Sequence, residues 1–379
     1  MPHLALITSS YPDGTPGSEA AGSFVADFAR ELSNRVRVTV LAASSVDSIT
    51  AQGPLTVRRF AVPKMPLSLL KPLSPGDWAP IVQTLKSGRT ALTSFAETDC
   101  PDHILTLWAL PGGYWAESVA QRKAVPLSIW ALGSDIWGLG KIPFVRARLR
   151  SVLRRADHRY ADGLQLAADV EKICGKACEF LPSTRKLPVP AAMTVSATAP
   201  YKLAFLGRWH VNKGIDLLLD ALLQLDDGDW DRITEVRING GGPLARSVGR
   251  AVENLSKQGR PVLLGGYLDK QQAANLIGWA DYLLLPSRIE SIPVIFSDAV
   301  QLLTPIVATP VGDLPRLHEK YCFGVIASAT SATSFAGALR SAIAQSASDF
   351  QPCIKSGKVD FDLYTIVGDF LRKSRLLVP

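Results

Sequence analysis

A chain of 379 residues exceeds what one hydrophobic core usually supports, and 47% hydrophobic with 20% charged residues is an ordinary globular composition, so two domains are expected. No apolar run approaches the roughly 20 residues needed to span a bilayer, which leaves only peripheral membrane contact. The five cysteines are odd in number and scattered, and the first ten residues lack the basic start and cleavage site of a signal peptide, so a reducing cytoplasm is the expected home. The net charge of +7 lies almost entirely in the first half of the chain.

In chain order, a strand is expected at His3–Thr8, then a Gly/Pro-rich loop, then a helix near Ser23–Leu32 that places Phe24, Phe28 and Leu32 on one face. Strand-like runs follow at Val36–Ala42, Leu55–Phe60, His103–Leu107 and Leu127–Leu132. The segment Lys141–Arg159 interleaves Phe144, Val145, Leu149, Val152 and Leu153 with Arg146, Arg148, Arg150, Arg154 and Arg155 and reads as a basic amphipathic helix, either a solvated face or a contact for an anionic membrane. No aromatic-studded basic groove accompanies it, which argues against a nucleic-acid partner. Leu181–Pro200 is rich in Pro, Ser, Thr and Ala without helical period and reads as a connection between domains.

A second series of short buried strands opens at Lys202–Leu206 and continues through Glu235–Asn239, Pro261–Gly265, Tyr282–Leu285 and Ile306–Thr309. Strands alternating with helix-period segments predict an α/β protein with two doubly wound parallel sheets, in which ligands bind beyond the carboxyl ends of the strands. The domains expected are residues 1–185, a connection at 186–200, and residues 201–360, with a last helix near 361–376 packing back on the first domain.

Three loops carry candidate chemistry. The first strand of the second series runs into Gly207 and Arg208, with Lys213-Gly214 before the next helix; two fixed cations beside a helix start suit a diphosphate, though loop cations are commonly just solvated. Asn239-Gly240-Gly241-Gly242-Pro243 permits close backbone approach to a ligand or a tight turn, and is not a Walker loop. After Tyr282–Leu285 the chain passes Pro286-Ser287-Arg288 to Glu290, with a helix beginning around Pro293. There the N–H groups of Ser291, Ile292 and Val294 are expected to face phosphate or sugar oxygens, with Glu290 and Asp298 as acceptors for sugar and ribose hydroxyls. The competing account of Glu290 is a helix-entry carboxylate favoured by the dipole. Asp226-Asp227-Gly228-Asp229 imitates a metal-binding motif but sits in a polar loop, so no metal is assigned.

This ordered set resembles the retaining, GT-B-fold glycosyltransferases of family 4, which pair a Gly-rich first loop with an Arg-x4-Lys loop and a Glu-x7-Glu element. The corresponding residues are Gly22-Ser23-Phe24, Arg208 with Lys213, and Glu290 with Asp298. Trp108–Gly113 and Gly133–Trp137 resemble segments of that family's acceptor domain. The resemblance implies two Rossmann-like domains facing each other across a donor/acceptor cleft. It implies that Gly22 gives the diphosphate close backbone access, that Arg208 and Lys213 stabilise the departing nucleotide, and that Glu290 contacts the transferred sugar. Asp298 would then contact the ribose, Gly207 and the backbone from Ser291 through Ile292 and Pro293 to Val294 would line the pocket, and Trp108, Ser134 and Asp135 would stand on the acceptor side. No metal or other cofactor is implied.

Two departures stand out. The second glutamate is Asp298, and the family's common His-Gly-x-Asp reads Leu132-Gly133-Ser134-Asp135, without the imidazole. His-x-His is likewise replaced by Leu105-Thr106-Leu107, and His103 and His210 are read as structural. The expected activity is metal-independent hexosyl transfer from a UDP- or GDP-sugar to an oligosaccharide or lipid-linked acceptor, in cell-surface polysaccharide or glycolipid assembly. The alternative is a catalytically silent protein of the same fold that binds a sugar nucleotide or a partner.

Overall fold

A computed structural model describes residues 1–13 and 18–376, and the chain divides into two compact units. The first comprises residues 1–182 with 363–379, the second residues 183–362. Residues 186–200, read from composition as a connection, lie in the second unit, where Ala191 N donates to Asn275 and Ser196 N to Asp281.

The first unit holds an eight-stranded sheet: β1 (His3–Thr8), β2 (Arg37–Ser44), β3 (Ser48–Gln52), β4 (Leu55–Ala61), β5 (His103–Leu107), β6 (Leu127–Ala131), β7 (His158–Ala161) and β8 (Glu179–Phe180). Its spatial order is β3-β4-β2-β1-β5-β6-β7-β8, parallel throughout except for the β3–β4 hairpin. Central β1 and β5 are buried along their whole length, the pattern of strands covered by helices on both faces; β3, with five exposed residues, is an edge. The helix Leu363–Lys373 belongs to this unit, its Phe370 ring packing edge-on against Phe28, His103 and Tyr160.

The second unit holds six parallel strands: β9 (Tyr201–Arg208), β10 (Ile233–Gly241), β11 (Val262–Gly265), β12 (Tyr282–Leu285), β13 (Ile306–Ala308) and β14 (Gly324–Ile326). The order β11-β10-β9-β12-β13-β14 reverses direction between β9 and β12. That reversal is the switch point at which doubly wound sheets receive ligands. Here β9 stays paired with β10 through Arg208, yet pairs with β12 only at Tyr282↔Leu203 and Leu283↔Ala204, so the carboxyl ends of β9 and β12 lie unpaired beside each other. Leu203, Ile215, Leu218, Ile238, Leu284 and Phe335 form the core beneath them. No helix among the described residues is long and apolar enough to cross a membrane.

Candidate functional site at the switch point of the second sheet

The loop leaving β9 is short and tightly made. Arg208, its last strand residue, is exposed, with no side-chain partner among the described residues. His210 Nδ1 then accepts from Asn212 N at 3.1 Å, capping the turn Val211–Lys213, which is the structural role expected of this imidazole. Gly214 follows at φ +67°, where a Cβ would stand 1.8 Å from the Pro286 carbonyl oxygen. Only glycine lets the loop after β9 touch the loop after β12 so closely.

Arg288 stitches the same two loops from the other side. Its N–H donates to the Asn212 carbonyl at 2.8 Å, and its guanidinium donates to Val211 O at 2.8 Å and to both Asp216 oxygens at 2.7 and 2.9 Å. Burial raises the Asp216 carboxyl, but the Arg288 bonds outweigh it and hold the group below its usual value. The sequence offered no sign of this clamp, because Asp216 and Arg288 are 72 positions apart.

Across the switch point, Glu290 lies half-buried, accepting from Lys213 Nζ at 2.5 Å and from Ser287 Oγ at 2.9 Å. Lys213 and Glu290 are therefore brought together, with the cation held by the carboxylate. Beyond them the chain turns through Ser291, Ile292 and Pro293, all buried, into the helix Val294–Gln301. Pro293 has φ −64° and ψ 137° and caps the helix, one position before the first turn in which it was expected. Among the described residues no acceptor is bonded to the N–H groups of Ser291, Ile292 or Val294. Ser291 Oγ is also buried without a partner, as is Trp209 Nε1 beside Arg208. Buried polar atoms without partners are costly, and Ser291 Oγ lies in the same turn as the unbonded N–H donors. Gly312, at φ +57°, supports the floor: a Cβ there would lie 2.3 Å from both the Glu290 and Ser291 carbonyls.

Three residues expected at the site have positions or partners that local sequence pattern does not show. Asp298 is fully buried, and its carboxylate accepts from Arg185 Nε at 2.9 and 3.0 Å and from Nη2 at 2.6 Å. Gly22 lies inside the helix Ser18–Ser33, not at a loop end; its missing Cβ makes room for Pro12, whose Cδ would be 2.9 Å away. Part of that loop, residues 14–17, lies outside the described residues. Asp135 is fully buried and accepts from Ala109 N at 2.6 Å and Leu132 N at 3.3 Å, joining the loops after β5 and β6. Burial pushes its carboxyl up to about 6 despite these backbone donors. Of the three acceptor-side candidates in the first unit, Ser134 is exposed and Trp108, at φ +63°, is partly buried with its ring edge-on to Phe24.

His103 is buried against Ser128 Oγ at 2.8 Å, and burial with the nearby His158 holds its imidazole down to about 4. The acidic run at Asp226–Asp229 is a capping box on the short helix Asp227–Trp230, with Asp227 paired to Arg260 and Asp229 to Arg340. The basic segment forms the helix Pro143–Arg155. Arg148 and Arg155 pair with Glu117, while Arg146 and Arg154 bond the carbonyls of Gly140 and Cys174. Phe144 and Arg150 are exposed on it.

Residues 200–345 match the family model of the glycosyl transferases group 1. The chain is 31% identical over 140 residues to a D-inositol 3-phosphate glycosyltransferase of Corynebacterium aurimucosum, covering 36% of this chain and 33% of that protein. It is 32% identical over 124 residues to the enzyme of the same name from Jonesia denitrificans, covering 31% and 29%. The chain thus spans about a third of the curated relatives it matches. Among solved structures, it is similar to sucrose-phosphate synthase of Thermosynechococcus elongatus, with a TM-score of 0.72 at 16% identity, covering 99% of each chain. It is also similar to Anabaena HepE in complex with UDP-glucose, with a TM-score of 0.68 at 16% identity over 99% of this chain and 100% of that one. The chain accordingly has the two-sheet, Rossmann-like α/β fold of GT-B glycosyltransferases, and the switch-point residues fall within the segment 200–345 that matches the glycosyl transferases group 1 model.

Proposed function

We propose that this protein is a retaining, metal-independent glycosyltransferase that takes a hexose-type sugar from a nucleotide diphosphate donor bound at the switch point between β9 and β12. The observation that carries the reading is the convergence, at one unpaired pair of strand ends, of an unpartnered Arg208 guanidinium, the Lys213 ammonium and the N-terminus of the helix Val294–Gln301. As the bond from sugar to phosphate breaks, negative charge grows on the leaving oxygen, and fixed cations and N–H dipoles stabilise that charge more than the ground state. Arg208 and Lys213 fill that role. Glu290, beside Lys213, accepts from hydroxyls of the transferred sugar, and Ser291 Oγ gains the partner it lacks.

The acceptor is an oligosaccharide or a lipid-linked glycan, as in the assembly of cell-surface polysaccharide or glycolipid, and the protein works on the cytoplasmic side. Support for a lipid surface comes from the exposed Phe144 and Arg150 on the helix Pro143–Arg155. It is tempered by the four neighbouring arginines already engaged within the fold. A catalytically silent relative is the second reading, favoured by Leu132 at the position of the common histidine. Incubating the purified protein with UDP-, GDP-, ADP- and dTDP-sugars, with and without glycan acceptors, separates the two. Donor hydrolysis or transfer that Lys213→Ala abolishes supports the enzyme. Binding without turnover supports the silent form, and binding of none of these donors overturns both.

A further inference from the structure

The first sheet has a switch point of its own. In the order β3-β4-β2-β1-β5-β6-β7-β8 the chain reverses direction between β1 and β5, and doubly wound sheets receive ligands beyond the carboxyl ends of strands at such a place. Trp108 is the residue that follows β5 there. Its backbone lies at φ 63° and ψ 121°, a conformation that bulky residues avoid and that persists only where the surroundings enforce it. They do so from both sides: Trp108 N donates to Trp130 O at 2.9 Å, and Ala109 N donates to the buried Asp135 carboxylate at 2.6 Å. Gly113 locks the end of the same loop, since a Cβ there would lie 2.4 Å from Val152 Cγ1.

The indole held in this way is only partly buried. It meets Phe24 edge-on at 6.4 Å, and Phe24 meets the fully buried Trp130 edge-on at 6.1 Å, so the ring is braced through Phe24 to the core. Its Nε1 has no hydrogen-bond partner among the described residues and, unlike Trp115 Nε1 and Trp130 Nε1, retains accessible surface. In the loop after β6, Leu132 is partly exposed and Ser134 is exposed. Positive charge is missing here. Residues 9–17, 108–113 and 132–140, which follow β1, β5 and β6 in the chain, contain no Lys, Arg or His. Arg59 reaches the segment after β1, but its guanidinium donates to Pro12 O at 2.7 Å and lies 5.8 Å from the centre of the Tyr11 ring. The switch point of the second sheet, by contrast, carries Arg208 and Lys213.

We propose, resting on the glycan-acceptor reading above, that Trp108 is the platform of a binding site for an uncharged pyranose ring. A pyranose presents C–H groups that stack on an aromatic face, and hydroxyls at its rim that the indole N–H and the Ser134 hydroxyl can bond. A phosphate on the sugar gains nothing, because these segments supply no cation to pair with it. The same assignment accounts for the strained backbone, which places a large aromatic ring at a ligand-binding strand end.

The test titrates the full chain, with its tryptophans nitrogen-labelled, with the methyl pyranosides of glucose, galactose and mannose and with glucose 6-phosphate. Binding is read from the indole N–H signal of Trp108, identified by its loss in Trp108→Gly, and binding to that variant from saturation transfer to the sugar. At least one neutral glycoside should move the Trp108 signal saturably, and glucose 6-phosphate should bind no more tightly than methyl glucoside, within about threefold. Trp108→Gly should lose the glycoside by about tenfold or more and still melt near the wild-type temperature, because glycine relieves the strained backbone. A Trp108→Gly protein that binds as wild type, or that melts far below it, overturns the proposal, the latter by making the indole part of the core. A 6-phosphate that binds tighter by about tenfold or more overturns the uncharged ligand. UDP and GDP are titrated into the same protein: one that binds a nucleotide but moves Trp108 with none of the glycosides overturns this proposal alone, and one that binds neither overturns the transferase reading as well.

Discussion

Asp135 gives the sharpest quantitative check on how the first unit is built. Its carboxylate is fully buried between the loops after β5 and β6, and burial moves its pKa from 3.8 to about 6 although Ala109 N and Leu132 N donate to it. A raised folded-state value means that the folded chain takes up the proton before the unfolded chain does, so this residue favours folding increasingly as pH falls from 7 through 6 towards 4. Between pH 7 and about pH 4.5 the linkage amounts to about 2 kcal/mol, from a folded value near 6 against 3.8 unfolded. Asp135→Asn removes the titration while keeping the shape. Urea unfolding of wild type and variant at a series of pH values, followed by tryptophan fluorescence, should therefore show their stability difference shifting by about 2 kcal/mol in favour of the wild type as the pH is lowered. A pH-independent difference would mean that the backbone donors keep the carboxylate ionised throughout, and the reasoning from burial would fail.

His103 should act in the opposite sense: neutral in the fold with a value near 4 against 6.5 unfolded, it withdraws about 2.5 kcal/mol of stability as pH falls from about 7.5 to 4.5, and His103→Asn should abolish that loss in the same unfolding series. Gly214→Ala places a Cβ 1.8 Å from the Pro286 carbonyl at φ +67°, so it should destabilise the protein by at least about 2 kcal/mol and lower the melting temperature. An unchanged melting temperature would show that the two site loops are not in contact. If the helix Pro143–Arg155 meets anionic lipid, co-sedimentation with anionic vesicles should weaken with added salt and with Arg150→Glu; sedimentation indifferent to both would point to a soluble acceptor.

Much of the architecture is written in local pattern. Runs such as HLALIT, HILTL and YLLL are short, apolar and buried on both faces, and the structure has strands at all three. β7 and β8 were invisible because HRYA and EF are too short and too polar to show a period, and β3 because SITAQ is an exposed edge whose strand character comes from pairing with β4. The loops of the candidate site were legible in part, since Arg208, Lys213, Glu290 and Ser291 stand in two loops next to strands whose ends mark them. What sequence could not show is which charges are already spent. Asp298 looked available because its partner Arg185 lies 113 positions away, in a stretch read as a connection. Asp135 looked available for the same reason, its main donor Ala109 being 26 positions upstream. Long-range pairing of this kind has no local signature.

The central claim is that the ends of β9 and β12 hold a nucleoside diphosphate through Arg208 and Lys213. Arg208 is the cleanest probe, because its exposed side chain has no partner among the described residues and its removal should cost binding without costing stability. Titration calorimetry of UDP and GDP against wild type and Arg208→Ala, with melting temperatures recorded alongside, tests this directly. The account predicts one site per chain in the wild type and an affinity weaker by about tenfold or more in the variant, equivalent to about 1.4 kcal/mol, at an unchanged melting temperature. Equal affinities in the two proteins, or no binding of either nucleotide to the wild type, would contradict it.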